Sequence, residues 1–222
     1  MLEAAGFEVA VLSRPLCCGR PLYDFGMLRL AERQLRRILD VLRQEIQAGA
    51  PVVALEPSCG AVFRDEMGEL LPDDEDAKRL RRQTFSLAEL LLREAPDWEL
   101  PALERRALVH LHCHHKATAD TDCDRQVLER LGLDVEVLDS GCCGLAGSFG
   151  YEAGEPFEVS MKVGERVLLP AVRQADPDTL IVTDGFSCRS QIEHGARRRA
   201  LHLAEVIRLA LEGRPSTGAA SG

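Results

Sequence analysis

The chain has no long hydrophobic run and no excess of basic residues. Its 222 residues carry a net charge of −9 at neutral pH, with 27 Lys and Arg against 36 Asp and Glu. No apolar stretch approaches the roughly 18 residues that a membrane-spanning helix needs. Nucleic acids and anionic membranes attract basic patches, so the acidic balance argues against both as main partners. We therefore expect no transmembrane segment and no nucleic-acid partner.

The chain also has few aromatic residues and lacks the pattern of an export signal. Aromatic residues make up 5% and apolar residues 45%, which suits an ordinary core in one large or two small domains. The first residues, which include Glu3, do not form a basic segment followed by an apolar one. A cytoplasmic setting is expected, either free or peripheral at the inner membrane through a partner. In a reducing compartment, cysteine clusters more often mean metal binding or catalysis than disulfides.

The cysteines are concentrated in a pattern that occurs twice. Cys-Cys-Gly stands at 17–19 and again at 142–144, and each copy is followed by Phe-Gly and, later, by a Ser-Cys pair. Forty residues separate Cys18 from Cys59, and forty-four separate Cys143 from Cys188. The same order, chemistry and spacing in both halves indicate one structural unit used twice.

This repeat predicts the domain organisation. We expect a first unit at 1–96, a second at 97–213 and a disordered tail at 214–222. The second unit has an additional apolar run that leads to Cys113, and the equivalent position of the first unit would fall before Met1. The first unit is therefore expected to lack its leading strand, as in a fragment or a gene with a late start. A sheet edge would then be unpaired.

Apolar periodicity predicts an α/β fold. Helices are predicted at 27–46, 125–131, 158–172 and 201–211, and strands at 51–55, 108–111, 135–138 and 181–183. Ser86 and Glu89 form the capping-box pattern of a further helix start. Short apolar strands that alternate with helices are typical of mainly parallel sheets, and ligands of such sheets lie beyond the carboxyl ends of the strands. Five cysteines are expected there, each just after a predicted strand, which implies a further strand before Cys17: Cys17, Cys59, Cys113, Cys142 and Cys188.

Two groups of cysteines are therefore candidate metal sites. The second half offers Cys113, Cys142, Cys143 and Cys188, and the first half offers Cys17, Cys18 and Cys59. Thiolate sulfur is a soft ligand, and four thiolates suit either zinc or an iron–sulfur cluster. The iron–sulfur cluster is favoured because structural zinc sites usually pair ligands two to four residues apart, and the chain has no Cys-x-x-Cys. Zinc remains the alternative, and thiol–disulfide chemistry is a third possibility.

Residues near these cysteines give weaker signals. Cys123 lies in an acidic helix start that disfavours a thiolate, so we expect it to be a bystander. Three histidines flank Cys113 and are expected to donate hydrogen bonds around the site, with ligation as the alternative: His112, His114 and His115. Three cations either offset cluster charge or are ordinary surface residues: Arg20, Lys116 and Arg189.

Three stretches of the chain resemble a known family. Arg14–Gly26, His112–Lys116 and Asp139–Gly150 resemble the cysteine-rich CCG domain. That domain occurs twice in one of the subunits of heterodisulfide reductase, in the glycolate oxidase iron–sulfur subunit, and at the C-terminus of fused FAD-binding and iron–sulfur-binding oxidoreductases. The last group is the most similar. The resemblance covers nearly all of residues 1–213.

The resemblance implies an electron-transfer module. In the fused enzymes, a flavin domain oxidises a D-2-hydroxy acid such as lactate, glycolate or 2-hydroxyglutarate, and ferredoxin-like clusters and the CCG module carry the electrons onward. By this likeness the chain would not act on substrate alone. FAD would be bound by another domain or subunit, and a ferredoxin-like cluster domain would be a further partner. The chain has no closely spaced four-cysteine run of the ferredoxin type.

One departure from the family pattern affects the expected cluster. The heterodisulfide reductase subunit ends its motif in Cys-x-x-Cys, whereas Gln191 stands three residues after Cys188 in this chain. A four-cysteine site, of the 4Fe-4S type, is therefore expected instead of a five-cysteine cluster. Two other functions stay open: a catalytic module that reduces a disulfide at an open iron position, and a zinc-stabilised interaction module.

Overall fold

The computed structural model describes residues 1–213, in which two parallel sheets are surrounded by helices. The α/β fold class is confirmed, since every strand pair is parallel. The tail expected at 214–222 lies outside the described residues. Among residues 1–213, no helix has both the length and the apolar character to cross a membrane.

The first half consists mostly of helices. Its elements are α1 (Arg20–Asp24), α2 (Leu28–Val41), α3 (Arg43–Ala48), β1 (Val52–Val53), α4 (Pro57–Arg64), α5 (Glu66–Leu70), α6 (Glu75–Gln83), β2 (Thr84–Phe85) and α7 (Leu87–Glu94). A short 3₁₀ helix, Glu3–Ala5, precedes them.

The second half contains three strands. Its elements are β3 (Arg106–Val109), α8 (Cys113–Thr118), α9 (Asp122–Arg130), β4 (Asp134–Val137), α10 (Glu155–Gly164), α11 (Leu168–Gln174), β5 (Leu180–Val182), α12 (Phe186–Ala196) and α13 (Leu203–Glu212). A 3₁₀ helix, Phe149–Tyr151, lies between β4 and α10.

The three-stranded sheet has β3 in its centre, in the order β4-β3-β5. Ala107 of β3 aligns with Val135 on one side and with Leu180 on the other. The two cores that cover this strand explain why Ala107, Leu108 and Val109 are all buried. Because all three strands are parallel, their carboxyl ends meet at one edge of the sheet. The segments that carry the cysteines of the second half begin at that edge.

The prediction of a strand before Cys17 is wrong. Residues 7–12 form no strand, and Val11 at the middle of this segment is 87% exposed. In the second half, the corresponding strand β4 is held by its hydrogen bonds to β3. The described first half contains no counterpart of β3, so this segment has no neighbour with which to pair. Its sheet consists only of β1 and β2, with Val52 aligned with Thr84.

Two predicted helices are each divided in two. The helix predicted at 27–46 is interrupted at Leu42, whose backbone leaves the helical region at φ −92° and ψ 8°. Leu42 and Ile46 are still buried, so the apolar spacing continues through the break. The helix predicted at 158–172 is likewise interrupted between α10 and α11. Periodicity therefore located most of the buried face of the first helix, with Leu28 exposed, but it did not detect the breaks.

The two halves end in the same local structure. Ser86 caps α7 and forms the predicted capping box with Glu89. His202 caps α13 in the same way, with Glu205 completing the box. Residues 85–89 and 201–205 correspond in sequence, so the similarity of the halves extends beyond the cysteines. The division into units at 96/97 stays a prediction, because α7 packs in one core with β3, α9 and α13.

Arg64 connects the last turn of α4 to both halves. Its guanidinium donates to the carbonyl oxygens of Thr84 and Thr118 at 2.9 and 3.0 Å, and it forms an ion pair with Glu89. The two side chains of that pair are only 15% and 16% exposed. A charge left without its partner in such surroundings is destabilising. Arg64 therefore holds α4 to α7 through this ion pair, and to α8 through the carbonyl oxygen of Thr118.

We predict that Arg64→Met lowers the free energy of unfolding by about 3 kcal/mol, because Glu89 loses its cation while half-buried. Urea denaturation followed by circular dichroism measures the change. The matched control is Arg36→Met, which removes an exposed pair with Glu32 and is expected to change stability by less than about 0.5 kcal/mol. Equal losses in the two variants would contradict the importance assigned to Arg64.

Candidate metal centre

The four cysteines of the second half converge at the carboxyl edge of the sheet. Cys113 begins α8 after β3, Cys142 and Cys143 lie in the loop after β4, and Cys188 is the third residue of α12 after β5. The Cys142 sulfur interacts with the thiols of Cys113 and Cys143, and the Cys143 thiol also interacts with that of Cys188. The fold thus brings together all four thiols that the sequence singled out for this half.

This thiol cluster has a closed end and an open end. Cys143 and Cys188 are 3% and 1% exposed, Cys142 is half-buried and Cys113 is exposed. The buried sulfurs are shielded from water by the core that contains Leu145 and Ile192. A bound group would therefore be most accessible to solvent on the side of Cys113.

In the metal-free chain, the thiols of this cluster form hydrogen bonds with one another. Hydrogen bonds from Cys113 and Cys143 hold the pKa of Cys142 far below its usual range, and the amide of Gly144 donates to the same sulfur at 3.3 Å. The Cys143 thiol and the His110 ring similarly lower the pKa of Cys188. The donors, Cys113 and Cys143, have raised pKa values in return. Four soft donors with two thiolates already favoured fit a metal ion or an iron–sulfur cluster.

Gly144 makes the sharp turn between the vicinal cysteines and α10. Its φ of +105° favours glycine, and a Cβ built there would lie 2.2 Å from the carbonyl oxygen of Ser160. Gln191 donates to that same oxygen at 3.2 Å and is only 2% exposed. Gln191, the residue that departs from the family pattern, therefore bonds α12 to α10 beside the cysteine loop. Neither Ser160 nor Gln191 was identified from the sequence, since only their burial and long-range contacts reveal this role.

The histidines around Cys113 have different environments. His112 accepts the amide of His114 at the start of α8, and its Nδ1 lies 4.0 Å from the Cys113 sulfur. Ligand atoms of His112, Cys113 and His114 lie within 4.8 Å of one another, so histidine ligation stays open. Burial lowers the pKa of His115, but the carboxylate of Asp124 at 3.1 Å outweighs this and raises it.

His110 is a site residue that sequence reasoning missed. It is 1% exposed, its Nδ1 lies 2.7 Å from the Ser140 hydroxyl, and its ring interacts with Cys188. The position at the end of β3, three residues before Cys113, was the only available signal.

The three cysteines of the first half also gather. The Cys18 and Cys59 sulfurs are 3.0 Å apart, and the Gly19 amide donates to the exposed Cys17 sulfur at 3.5 Å. The hydrogen bond from Cys59, followed by nearby Arg20, lowers the pKa of Cys18 to about 7. Conversely, the Cys18 thiolate raises the pKa of Cys59. Cys59 is the third residue of α4, the place that Cys188 has in α12.

The three candidate cations form hydrogen bonds or ion pairs with oxygen atoms of the protein. Lys116 donates to the Ser140 carbonyl, and Arg189 donates to the carbonyls of Thr183 and Asp184. Arg20 is mostly buried and forms ion pairs with Asp24 and Glu66, which leaves it beside Cys18. Burial raises the pKa of Cys123 to about 11, and this cysteine packs into the core that contains Leu128.

The chain is similar to known proteins over most of its length. The family described as "Cysteine-rich domain" (CCG) matches residues 1–64 and 107–193, the segments that contain the two thiol clusters. A subunit of the anaerobic glycerol-3-phosphate dehydrogenase of Escherichia coli K12 is 31% identical over 218 residues. D-2-hydroxyglutarate dehydrogenase of Pseudomonas putida is 29% identical over 191 residues, and Lactate utilization protein A of Bacillus licheniformis is 27% identical over 223 residues.

The relatives differ in how much of their own length is matched. The alignments cover 95%, 85% and 93% of this chain, but 53%, 18% and 89% of the respective relatives. The chain thus spans about half the length of the Escherichia coli relative.

For the metal-free protein we predict that alkylation of Cys18 speeds up as the pH rises, with a midpoint near 7, its lowered pKa. Since the hydrogen bond from Cys59 is the largest cause, Cys59→Ala should move this midpoint upward towards the ordinary thiol value of 9.0. Iodoacetamide labelling read by peptide mass spectrometry measures the profile. Cys123 is the internal control, with an expected midpoint near 11. An unchanged Cys18 profile in Cys59→Ala would refute the pairing.

We predict that Gly144→Ala lowers the free energy of unfolding by at least about 3 kcal/mol, because of its positive φ and the clash with Ser160. Gly141→Ala is the matched control in the same loop, since a Cβ there would meet nothing within 4 Å. Its effect should stay within about 0.5 kcal/mol. Thermal unfolding and metal content are measured for both variants, and equal behaviour would contradict the steric role of Gly144.

Proposed function

The chain belongs to the cysteine-rich CCG domain family, and from this membership we propose that it is an electron-transfer module of a dehydrogenase. The proposed cofactor is an iron–sulfur cluster, of the 4Fe-4S type, held by Cys113, Cys142, Cys143 and Cys188. A second site is proposed at Cys17, Cys18 and Cys59. The convergence of four thiols from three strand ends is the observation that carries this proposal.

The donor set fits such a cofactor in three respects. Four sulfurs interact in the order Cys113, Cys142, Cys143 and Cys188, the last two in dry surroundings, and a backbone amide donates to the Cys142 sulfur. When bound, an iron–sulfur cluster supplies one-electron chemistry. The protein residues hold the sulfurs in place, exclude water with Cys143 and Cys188, and leave an accessible edge at Cys113. That edge is where we propose that a redox partner approaches.

The names of the relatives support the substrate class. Glycerol-3-phosphate, 2-hydroxyglutarate and lactate all carry a secondary alcohol, whose oxidation releases two electrons as a hydride equivalent. We propose that FAD on a partner domain or subunit takes the hydride equivalent from a D-2-hydroxy acid. A ferredoxin-like cluster domain and this module would then carry single electrons onward. The proposed location is the cytoplasm, either free or peripheral at the inner membrane through the partner.

We predict that the protein purified without oxygen is coloured and contains iron and acid-labile sulfide. Cys143→Ser should lose the cluster of the second half, because it removes the sulfur that joins Cys142 to Cys188. Cys123→Ser is the matched control and should retain all iron, since Cys123 packs in a core away from the thiol clusters. Iron and sulfide assays and the visible spectrum are the measurements.

Two results would contradict the proposal. Equal iron in the two variants would refute the ligand assignment. Colourless wild-type protein with stoichiometric zinc would exclude electron transfer, because zinc has no redox chemistry, and would favour a zinc-stabilised interaction module.

A further inference from the structure

The N-cap residue of α12, the helix that carries Cys188, has no side chain that could cap the helix. Gly185 holds the cap position of α12, and no side chain caps the helix there. A Cβ at Gly185 would lie 2.2 Å from Cδ2 of His112 and 3.2 Å from the Cys188 sulfur. The close approach of the ligand-bearing segments therefore requires glycine. The first amide of α12, that of Phe186, must find its acceptor elsewhere.

Glu56 of the first half supplies this acceptor. Its Oε2 accepts the Phe186 amide at 2.9 Å, across 130 residues of sequence. Its Oε1 accepts from the Ser58 hydroxyl at 2.8 Å and caps α4. One carboxylate thus joins the first turns of two helices, each of which carries a candidate metal ligand at its third position, Cys59 or Cys188.

A second contact fixes the backbone at this point. His202 Nε2 donates to the carbonyl oxygen of Leu55 at 2.8 Å, and His202 is itself buried at the start of α13. The residue that precedes Glu56 is therefore tied to the second half as well. Both contacts cross between the halves, one to α12 and the other to the start of α13.

The carboxylate also adds negative charge close to the sulfurs. Glu56 lies three residues before Cys59, and its Oε2 accepts the amide of Phe186, two residues before Cys188. Reduction of a metal centre adds further negative charge, which a nearby carboxylate opposes, and this opposition is stronger in a partly buried location than in water. A carboxylate bonded to both helices can act on both centres at once.

We propose that Glu56 is a positioning residue shared by the two metal centres: it holds the helices of Cys59 and Cys188 together, and its charge lowers the reduction potential of both. The assignment rests on the proposed function in so far as the potentials require bound clusters. The contacts of Glu56 with α4 and α12 do not depend on bound clusters.

The first test uses the cluster-loaded protein. Glu56→Gln keeps the size of the side chain but removes its charge, so the potentials of both centres should rise, and Glu56→Asp should shift them less. Redox titration followed by electron paramagnetic resonance measures each centre separately in Cys143→Ser and Cys18→Ser backgrounds, which each retain one site. Glu32→Gln removes the same charge from an exposed pair on α2 and should shift neither potential. A shift at one centre only, or equal shifts in Glu56→Gln and Glu56→Asp, would overturn the shared role.

The second test uses the metal-free protein, and it separates this inference from the proposed function. Loss of the Glu56 charge and cap should increase alkylation of Cys59 and Cys188 at least twofold in Glu56→Gln, with Cys123 unchanged. Peptide mass spectrometry after timed labelling measures all three. Unchanged rates at Cys188 would refute the cross-helix contact even if clusters bind. Absence of iron in the wild-type protein together with raised rates would refute only the proposed function.

Discussion

The candidate metal centre depends on the parallel pairing of β3 with both of its neighbours. Parallel strands end at the same edge of a sheet, so segments far apart in sequence begin their loops side by side. Cys113 and Cys188 are brought together in this way, although they are separated by most of the second half. An antiparallel β4 or β5 would place its cysteine at the opposite edge. The metal chemistry therefore follows from strand direction before any side-chain contact is considered.

The sequence predicted this part of the molecule because the signal was local. Cys113, Cys142 and Cys188 each follow a short apolar run within a few residues, and β3, β4 and β5 were located to within one or two residues. The strand expected before Cys17 failed for the opposite reason. An apolar segment becomes a strand only when a neighbour accepts its hydrogen bonds, and residues 7–12 have no such neighbour among the described residues. Strand pairing is a property of two segments, whereas periodicity describes one.

The groups that position the cysteines left no comparable trace in the sequence. Gln191 and Ser160 meet across 31 residues, and Glu56 meets Phe186 across 130. Each is a common polar residue whose role depends on a partner elsewhere in the chain. Gly144 and Gly185 likewise lie where a Cβ would collide with a neighbour, and these neighbours, Ser160 and His112, are distant in sequence. Such close approaches are visible only in the folded chain.

The two thiol clusters differ in how their charge is balanced. In both halves a cysteine holds the third position of a helix, where the helix N-terminus favours a thiolate. The first cluster adds the mostly buried Arg20 beside Cys18, whereas the cations of the second half, Lys116 and Arg189, are bonded to carbonyl oxygens. The second cluster relies instead on thiol hydrogen bonds and on His110. A permanent cation, shared with Asp24 and Glu66, therefore lies beside the first cluster, whereas dipoles and a neighbouring imidazole lie beside the second. Two copies of one motif consequently place their thiols in different electrostatic surroundings.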